Sequence, residues 1–197
     1  MFQSYGVTEA ASAAIVFNWG ILSFVPMIGL NVAIISLVGR FIGAGDMTGL
    51  QAVIKASFTM GLVYSAILGV LFMIFRAPLV DIFLEPGPGY EAIMSLGVFM
   101  MVGLATYVMA DALILIAGGI LRGAGDTRWL MWVSIVLHWF MLLVQYLVIE
   151  VWEFGPKVSW IVFVVMVLMT GGAYVLDLLG NKWRTPEAFE RVMSEQW

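Results

Sequence analysis

The chain has 197 residues, of which 62% are hydrophobic and 11% are charged, and its formal net charge at pH 7 is −4. A soluble domain carries about 25% charged and about 45–50% apolar residues, so a water-soluble core of this size could not enclose so many apolar side chains. The small negative charge argues against nucleic acid as a partner, and the lack of cysteine excludes disulfides and thiolate metal sites. We therefore expect a membrane protein whose surplus apolar surface contacts the lipid bilayer.

Five segments are long and apolar enough to cross a bilayer, which takes about 20 predominantly apolar residues. They cover approximately residues 13–38, 57–75, 93–121, 129–149 and 158–179. The first and third are longer than a bilayer requires. Pro26 and Gly29 favour a kink in the first, because proline removes a helical hydrogen bond. The sequence predicts an all-α, polytopic membrane helix bundle with about five transmembrane helices.

The distribution of lysine and arginine predicts the orientation, because cytoplasmic loops are enriched in both residues. One set of loops and the C-terminal tail holds Arg40, Lys55, Arg122, Arg128, Lys182, Arg184 and Arg191, whereas the opposite set holds Arg76 and Lys157. We expect the N-terminus outside and the C-terminus inside, with residues 185–197 as a cytoplasmic tail. Five tryptophans at or near predicted span ends would form an interfacial aromatic belt: Trp129, Trp132, Trp152, Trp160 and Trp183.

An outside N-terminus without a signal sequence would leave residues 1–12 to be translocated unaided. An additional helix upstream would remove this difficulty, so the topology favours a chain that is part of a longer protein. A natural five-span protein with a short translocated tail remains the alternative.

The tetrapeptide Gly-Ala-Gly-Asp occurs twice, at residues 43–46 and 123–126, and each copy follows an arginine and a predicted span. Two glycines allow a helix to end without steric cost, and an arginine near the last turn interacts favourably with the helix dipole. We interpret both copies as helix-terminating motifs at the same membrane face. Their residues are Arg40, Gly43, Gly45 and Asp46 in the first, and Arg122, Gly123, Gly125 and Asp126 in the second.

Several runs in the sequence resemble the multidrug and toxic compound extrusion (MATE) transporters. They are Phe17-Asn18, Pro26, Gly29, LVGRFIGAGD at 37–46, MADA at 109–112 and GILRGAGDTR at 119–128. The resemblance implies a protein of twelve helices in two lobes. Residues 1–184 would be a partial C-terminal transmembrane lobe without its first helix.

Three polar side chains on different predicted spans are candidates for function. Asp111 lies about 15 Å along its helix from the cytoplasmic boundary, close to the midplane, where a carboxylate is costly. The same counting places His138 and Asn31 at a similar depth, in the layer where transporters bind substrates and coupling ions. Asp111 also resembles the cation-coupling aspartate of the family. The alternatives are a structural carboxylate for Asp111, a packing residue rather than a proton relay for His138, and a helix bridge for Asn31.

The resemblance implies a cation-coupled antiporter, using Na⁺ or H⁺, that exports amphipathic organic cations or drugs across the bacterial inner membrane. It implies no cofactor besides the coupling ion, no metal and no enzymatic activity. Its partners would be the missing N-terminal lobe or a second copy, and the chain alone would be inactive. One alternative is a related flippase for lipid-linked precursors, although no lysine or arginine lies within a predicted span. Another is an intramembrane aspartyl protease, although Asp46 and Asp126 fall in predicted loops.

Overall fold

The computed structural model describes residues 2–180, so the predicted cytoplasmic tail, Lys182, Trp183, Arg184 and Arg191 lie outside the described residues. The described part contains six α-helices: α1 (Val7–Gly43), α2 (Met47–Ile74), α3 (Arg76–Asp81), α4 (Tyr90–Gly123), α5 (Thr127–Tyr146) and α6 (Pro156–Leu179). A 3₁₀ turn, Phe2–Ser4, precedes α1, and a π-helical segment, Leu147–Val151, continues α5.

Five helices in the described part are long and apolar enough to cross a membrane, which confirms the predicted all-α membrane bundle. α1 has 37 residues and extends several residues past both ends of the predicted segment 13–38, whereas α4, with 34 residues, nearly coincides with the predicted segment 93–121. About 20 residues suffice for the hydrocarbon layer, and the ends of these two helices therefore project beyond it. α1 continues through Pro26, whose backbone nitrogen carries no hydrogen and therefore cannot donate to the carbonyl of the preceding turn.

α4 is the central helix, because it packs against α1, α2 and α6. One buried cluster joins the last turns of α1 and α4 through side chains such as Val38, Ile116 and Leu121. A second cluster surrounds Met100 and Leu104 near the other end of α4. Large apolar side chains on the outer helices are instead exposed, as lipid-facing residues are expected to be, for example Ile21, Val63, Val136 and Leu176.

Trp160 does not belong to the predicted aromatic belt. Its side chain is only 1% exposed, and the indole nitrogen donates a hydrogen bond to the carbonyl oxygen of Met100 at 3.1 Å. The opposing residue on α4 is Gly103, and a Cβ added there would collide with the indole nitrogen. The missing side chain of Gly103 thus makes room for Trp160. Trp132 and Trp152, by contrast, are 63% and 55% exposed.

The two Gly-Ala-Gly-Asp segments have the same backbone structure. Gly45 and Gly125 adopt positive φ angles of 67° and 82°. In the first copy, the Gly45 amide donates to the Ile42 carbonyl and the Asp46 amide to the Phe41 carbonyl, both at 3.0 Å. This pair of bonds is the Schellman motif, which satisfies carbonyl groups left without partners at a helix end.

The second copy repeats this pattern at the end of α4. The Gly125 amide donates to the Arg122 carbonyl at 3.1 Å, and the Asp126 amide donates to the Leu121 carbonyl at 2.9 Å. The loop between α1 and α2 and the loop between α4 and α5 therefore begin with the same turn.

The opposite end of the bundle contains elements that the hydropathy pattern did not predict. The short helix α3 is fixed to α1 by the indole of Trp19, which donates to the Leu79 carbonyl at 2.8 Å. The Tyr90 hydroxyl donates to the Asp81 carboxylate at 2.6 Å and so links α3 to the start of α4. These contacts hold the loop between α2 and α4 against the membrane helices.

Candidate functional site

Asp111 lies on the central helix, half-buried, on the same stripe of α4 as Tyr107 and Leu115. Among residues 2–180 its carboxylate makes no hydrogen bond or ion pair, and Tyr107 lies one helical turn before it on the same helix. A carboxylate this deep in a membrane helix normally has a partner, because an unpaired charge is costly there. Asp111 is therefore available to a proton or a small cation.

Asn31 lies at the contact between α1 and α4, and it reaches α4 at Leu115, one helical turn after Asp111. Its side chain is buried, and the amide nitrogen donates to the carbonyl oxygen of Leu115. Gly119 permits this approach, since a Cβ at that position would lie 2.8 Å from the Asn31 amide nitrogen. Asn31 thus bridges two helices beside the carboxylate.

His138 occupies a different place in the bundle. Its exposed side chain lines a cavity of about 660 Å³ between α1, α5 and α6, together with Phe17, Gln145 and Phe163. The ring nitrogen Nδ1 lies 2.7 Å from the carbonyl oxygen of Ser134, one turn earlier on α5. Neither Asp111 nor Asn31 lines this cavity. Counting along the helices predicted one polar layer, but Asp111 and Asn31 lie apart from the cavity that His138 lines.

An aromatic cluster connects these two places, and sequence reasoning did not single it out. Tyr107 is one turn from Asp111, and its ring packs edge-on against Phe163 at 5.8 Å and against Trp160 at 6.2 Å. Phe163 also packs edge-on against Phe17 at 5.8 Å, and both residues line the cavity. The one available signal was the spacing of Tyr107, four residues before Asp111.

The chemistry available at Asp111 is limited to one carboxylate and nearby amide and phenol groups. Within the described residues no group of three or more histidine, aspartate or glutamate side chains could hold a metal ion. One carboxylate can take up a proton, or it can supply one of the oxygen ligands of a sodium ion.

Fold and sequence together define a multi-pass membrane protein in which, among the described residues, the Asp111 carboxylate of the central helix has no ion-pair partner. The family model described as MatE matches residues 1–147. The chain belongs to the MATE family, and its five apolar helices and bacterial relatives place it in the bacterial plasma membrane.

Named relatives agree with this assignment. The chain is similar to a protein of Thermotoga maritima named probable multidrug resistance protein NorM, with 29% identity over 180 residues, or 90% of this chain and 38% of the relative. It is also similar to proteins named multidrug resistance protein MdtK from Yersinia pseudotuberculosis and Yersinia pestis, with 25% identity over 191 residues, or 93% of this chain and 40% of each relative. The chain therefore spans about two fifths of the length of these curated relatives.

Proposed function

We propose that the chain forms one part of a cation-coupled antiporter that exports amphipathic organic cations or drugs across the bacterial inner membrane. Membership of the MATE family and the multidrug resistance names of its relatives support this proposal. The chain matches two fifths of each relative, so the active unit would need further helices. These would be an N-terminal lobe with the first helix of this lobe, or a second copy, and the chain alone would be inactive.

The proposal rests mainly on the position and surroundings of the Asp111 carboxylate. The carboxylate lies on the helix at the centre of the bundle and has no ion-pair partner within residues 2–180. A negative charge in this setting favours uptake of H⁺ or Na⁺, since either ion removes the cost of the uncompensated charge. Uptake and release of that ion would then bias the bundle between two packings, which is what coupling to transport requires. Asn31 would brace α1 against α4 beside the carboxylate.

The charge distribution supports a membrane orientation with the N-terminus outside and the C-terminus inside. Among the described residues, Arg40 and Arg122 lie in the last turns of α1 and α4, beside the two Schellman turns. Under this orientation both turns face the cytoplasm, where positively charged residues are favoured. Residues 1–184 would form the partial lobe and residues 185–197 the cytoplasmic tail.

Transport is favoured over the two alternative functions. The cavity between α1, α5 and α6 has no lysine or arginine among its lining residues, whereas a lipid-linked precursor would present anionic groups to it. For the protease hypothesis, the Asp46 carboxylate accepts a hydrogen bond from the Gly49 amide at 2.9 Å, and it caps α2. This aspartate serves the start of a helix rather than a catalytic pair.

The test is an Asp111→Asn variant of the complete transporter that contains this chain, expressed in cells loaded with a cationic dye. We expect gradient-driven efflux to fall to background while the amount of protein in the membrane stays unchanged, because asparagine cannot take up or release a proton and carries no charge. Asp126→Asn, in the loop after α4, is the matched control and should retain efflux. Efflux at the unmutated rate in Asp111→Asn would remove Asp111 from the coupling mechanism.

A further inference from the structure

Another cavity, of about 480 Å³, forms a groove between α1, α2 and α3, which we call the α2 groove. Its walls are residues between Trp19 and Pro26 on α1, residues between Tyr64 and Phe75 along α2, and Leu79 on α3. From Tyr64 to Phe75 the groove extends about 16 Å along the helix axis. One leaflet supplies about half of a hydrocarbon layer that is about 30 Å thick. The α2 groove therefore has about the length of the hydrocarbon part of one leaflet.

The polar atoms in the walls of the α2 groove are used within the protein. The indole of Trp19 donates to the Leu79 carbonyl at 2.8 Å, and the Tyr64 hydroxyl donates to the Ser23 carbonyl at 3.0 Å. The Ser23 hydroxyl donates to the Gly20 carbonyl at 2.7 Å. Among the described residues that line the groove, Trp19, Ser23 and Tyr64 are those with polar side-chain atoms. A polar occupant would lose its hydrogen bonds to water without replacement, so the groove selects an apolar one.

An acyl chain fits the α2 groove better than a helix does. An α-helix with its side chains is about 10–12 Å across, so a length of about 16 Å would occupy more than about 1,200 Å³. The groove offers about 480 Å³. Leu22 and Phe75 in its walls are largely exposed, so the groove is open to the surrounding bilayer. An unbranched hydrocarbon chain can enter from the bilayer and lie along the whole groove.

A cation lies at the end of the groove where α2 ends. Arg76 directly follows Phe75, is the first residue of α3 and has an exposed side chain. Within residues 2–180 it forms no ion pair, and its guanidinium donates to the sulfur of Met73, a weak acceptor, at 3.9 Å. Because α2 is long enough to span the bilayer, its end lies near the lipid headgroups. The planar, five-donor guanidinium of Arg76 is therefore available to a phosphate at that level.

We propose that the α2 groove binds an anionic phospholipid, with one acyl chain along the groove and the phosphate accepting hydrogen bonds from Arg76. Phosphatidylglycerol has the required chemistry, because its headgroup carries a phosphate and no second charged group. In phosphatidylethanolamine an ammonium group competes with the guanidinium for the same phosphate. Neither Asp111 nor His138 lines the groove, so this lipid site is independent of the proposed transport function.

The experiment is native mass spectrometry of the purified, delipidated 197-residue chain in detergent. Equal amounts of phosphatidylglycerol and phosphatidylethanolamine with the same acyl chains are added, and the adducts are distinguished by their headgroup masses. We expect one predominant lipid adduct, with phosphatidylglycerol favoured about fivefold, which corresponds to about 1 kcal/mol for one arginine near the membrane surface. Arg76→Gln should abolish this preference.

Lys157→Gln is the matched control for the charge. Lys157 is the other cation at this end of the bundle within the described residues, and its ammonium lies 5.5 Å from the centre of the Phe99 ring. It does not line the α2 groove, so its removal should leave the preference for phosphatidylglycerol unchanged. The comparison separates a local contact at Arg76 from a general attraction of anionic lipid to positive charge.

A second pair of variants tests the groove itself. Leu68→Trp places a larger side chain in the groove wall and should lower the occupancy of both lipids severalfold. Ile67→Trp is its matched control, because Ile67 is the preceding residue on α2, is 57% exposed and does not line the groove. This control should bind lipid as the unmutated chain does. Arg76→Gln changes an exposed side chain, so the charge test stands even if Leu68→Trp fails to fold.

Equal binding of the two lipids, or a preference that survives Arg76→Gln, would overturn the proposal. Equal occupancy in Leu68→Trp and Ile67→Trp, both folded, would also overturn it, because the lipid would then lie elsewhere. A lipid-free dimer that is lost in Leu68→Trp but not in Ile67→Trp would assign the groove to a second copy of the chain instead.

Discussion

The two Gly-Ala-Gly-Asp segments share a sequence and a backbone turn but differ in what surrounds them. A Cβ added at Gly43 would meet no atom within 4 Å, whereas one added at Gly123 would lie 2.8 Å from both the Ile35 carbonyl oxygen and the Val38 Cβ. Asp46 caps the following helix with its side chain, and Asp126 makes no such bond. The tetrapeptide therefore specifies the turn, whereas the tertiary contacts decide which of its residues are sensitive to substitution.

The difference arises from the positions of the two helix ends in the bundle. α4 is central, and its last turn is pressed against α1, so Ala124 is buried. The last turn of α1 is more peripheral, and Ala44 at the matching position is exposed. The second segment is thus both a turn and a packing surface, and the first is mainly a turn.

The largest difference in stability is expected between two variants, Gly123→Ala and Gly43→Ala. The new methyl group at 123 collides with the backbone of α1, so the two helices must separate, at a cost of about 1–3 kcal/mol. The same change at 43 meets open space within a helix, and alanine is favoured there over glycine by up to about 1 kcal/mol.

Thermal unfolding of the two variants in detergent measures this difference. We expect a clear fall in Tm for Gly123→Ala and an unchanged or higher Tm for Gly43→Ala. Equal Tm values would show that the contact between the end of α4 and α1 does not contribute to stability in the way the distances indicate.

Replacing the glycine with positive φ should destabilise the protein equally in the two segments. Gly45 and Gly125 both have positive φ, where an L-residue with a Cβ is strained by about 1–2 kcal/mol. Gly45→Ala and Gly125→Ala should therefore lower the Tm by similar amounts, and asparagine at either position should restore part of the loss. A much larger loss at 125 would mean that packing, rather than the backbone angle, dominates there as well.

The membrane helices could be predicted from the sequence because the signal is local. Apolar length reveals each spanning helix, and glycine pairs reveal where a helix is allowed to end. The short helix α3 and the π-helical segment after α5 depend on contacts with other helices, for example the bond from Trp19 to Leu79. The burial of Trp160 likewise depends on Gly103 in another helix, which hydropathy cannot reveal.

For the candidate site, the sequence predicted only the depth of each residue along its helix. Helix rise gave Asp111, Asn31 and His138 a common depth, but the direction in which each side chain points depends on how the helices pack. In the structure the Asn31 side chain lies in the contact between α1 and α4, while the His138 side chain lines the cavity between α1, α5 and α6. Their separation, and the aromatic contacts between Tyr107 and the cavity wall, could not be derived from spacing.

The smallest difference in stability is expected between the alanine variants of Asp46 and Asp126. The Asp46 carboxylate accepts a hydrogen bond from the Gly49 amide at 2.9 Å and satisfies one of the free amides at the start of α2. Asp46→Ala removes this cap and should cost about 1 kcal/mol. At the matching position Asp126 makes no cap, and the Thr127 amide is instead satisfied by the Gly125 carbonyl at 2.9 Å. Asp126→Ala should therefore change stability by less than about 0.5 kcal/mol. Comparing the unfolding midpoints of the two variants at one detergent concentration tests this, and an equal loss at both positions would mean that Asp126 also caps its helix in the membrane.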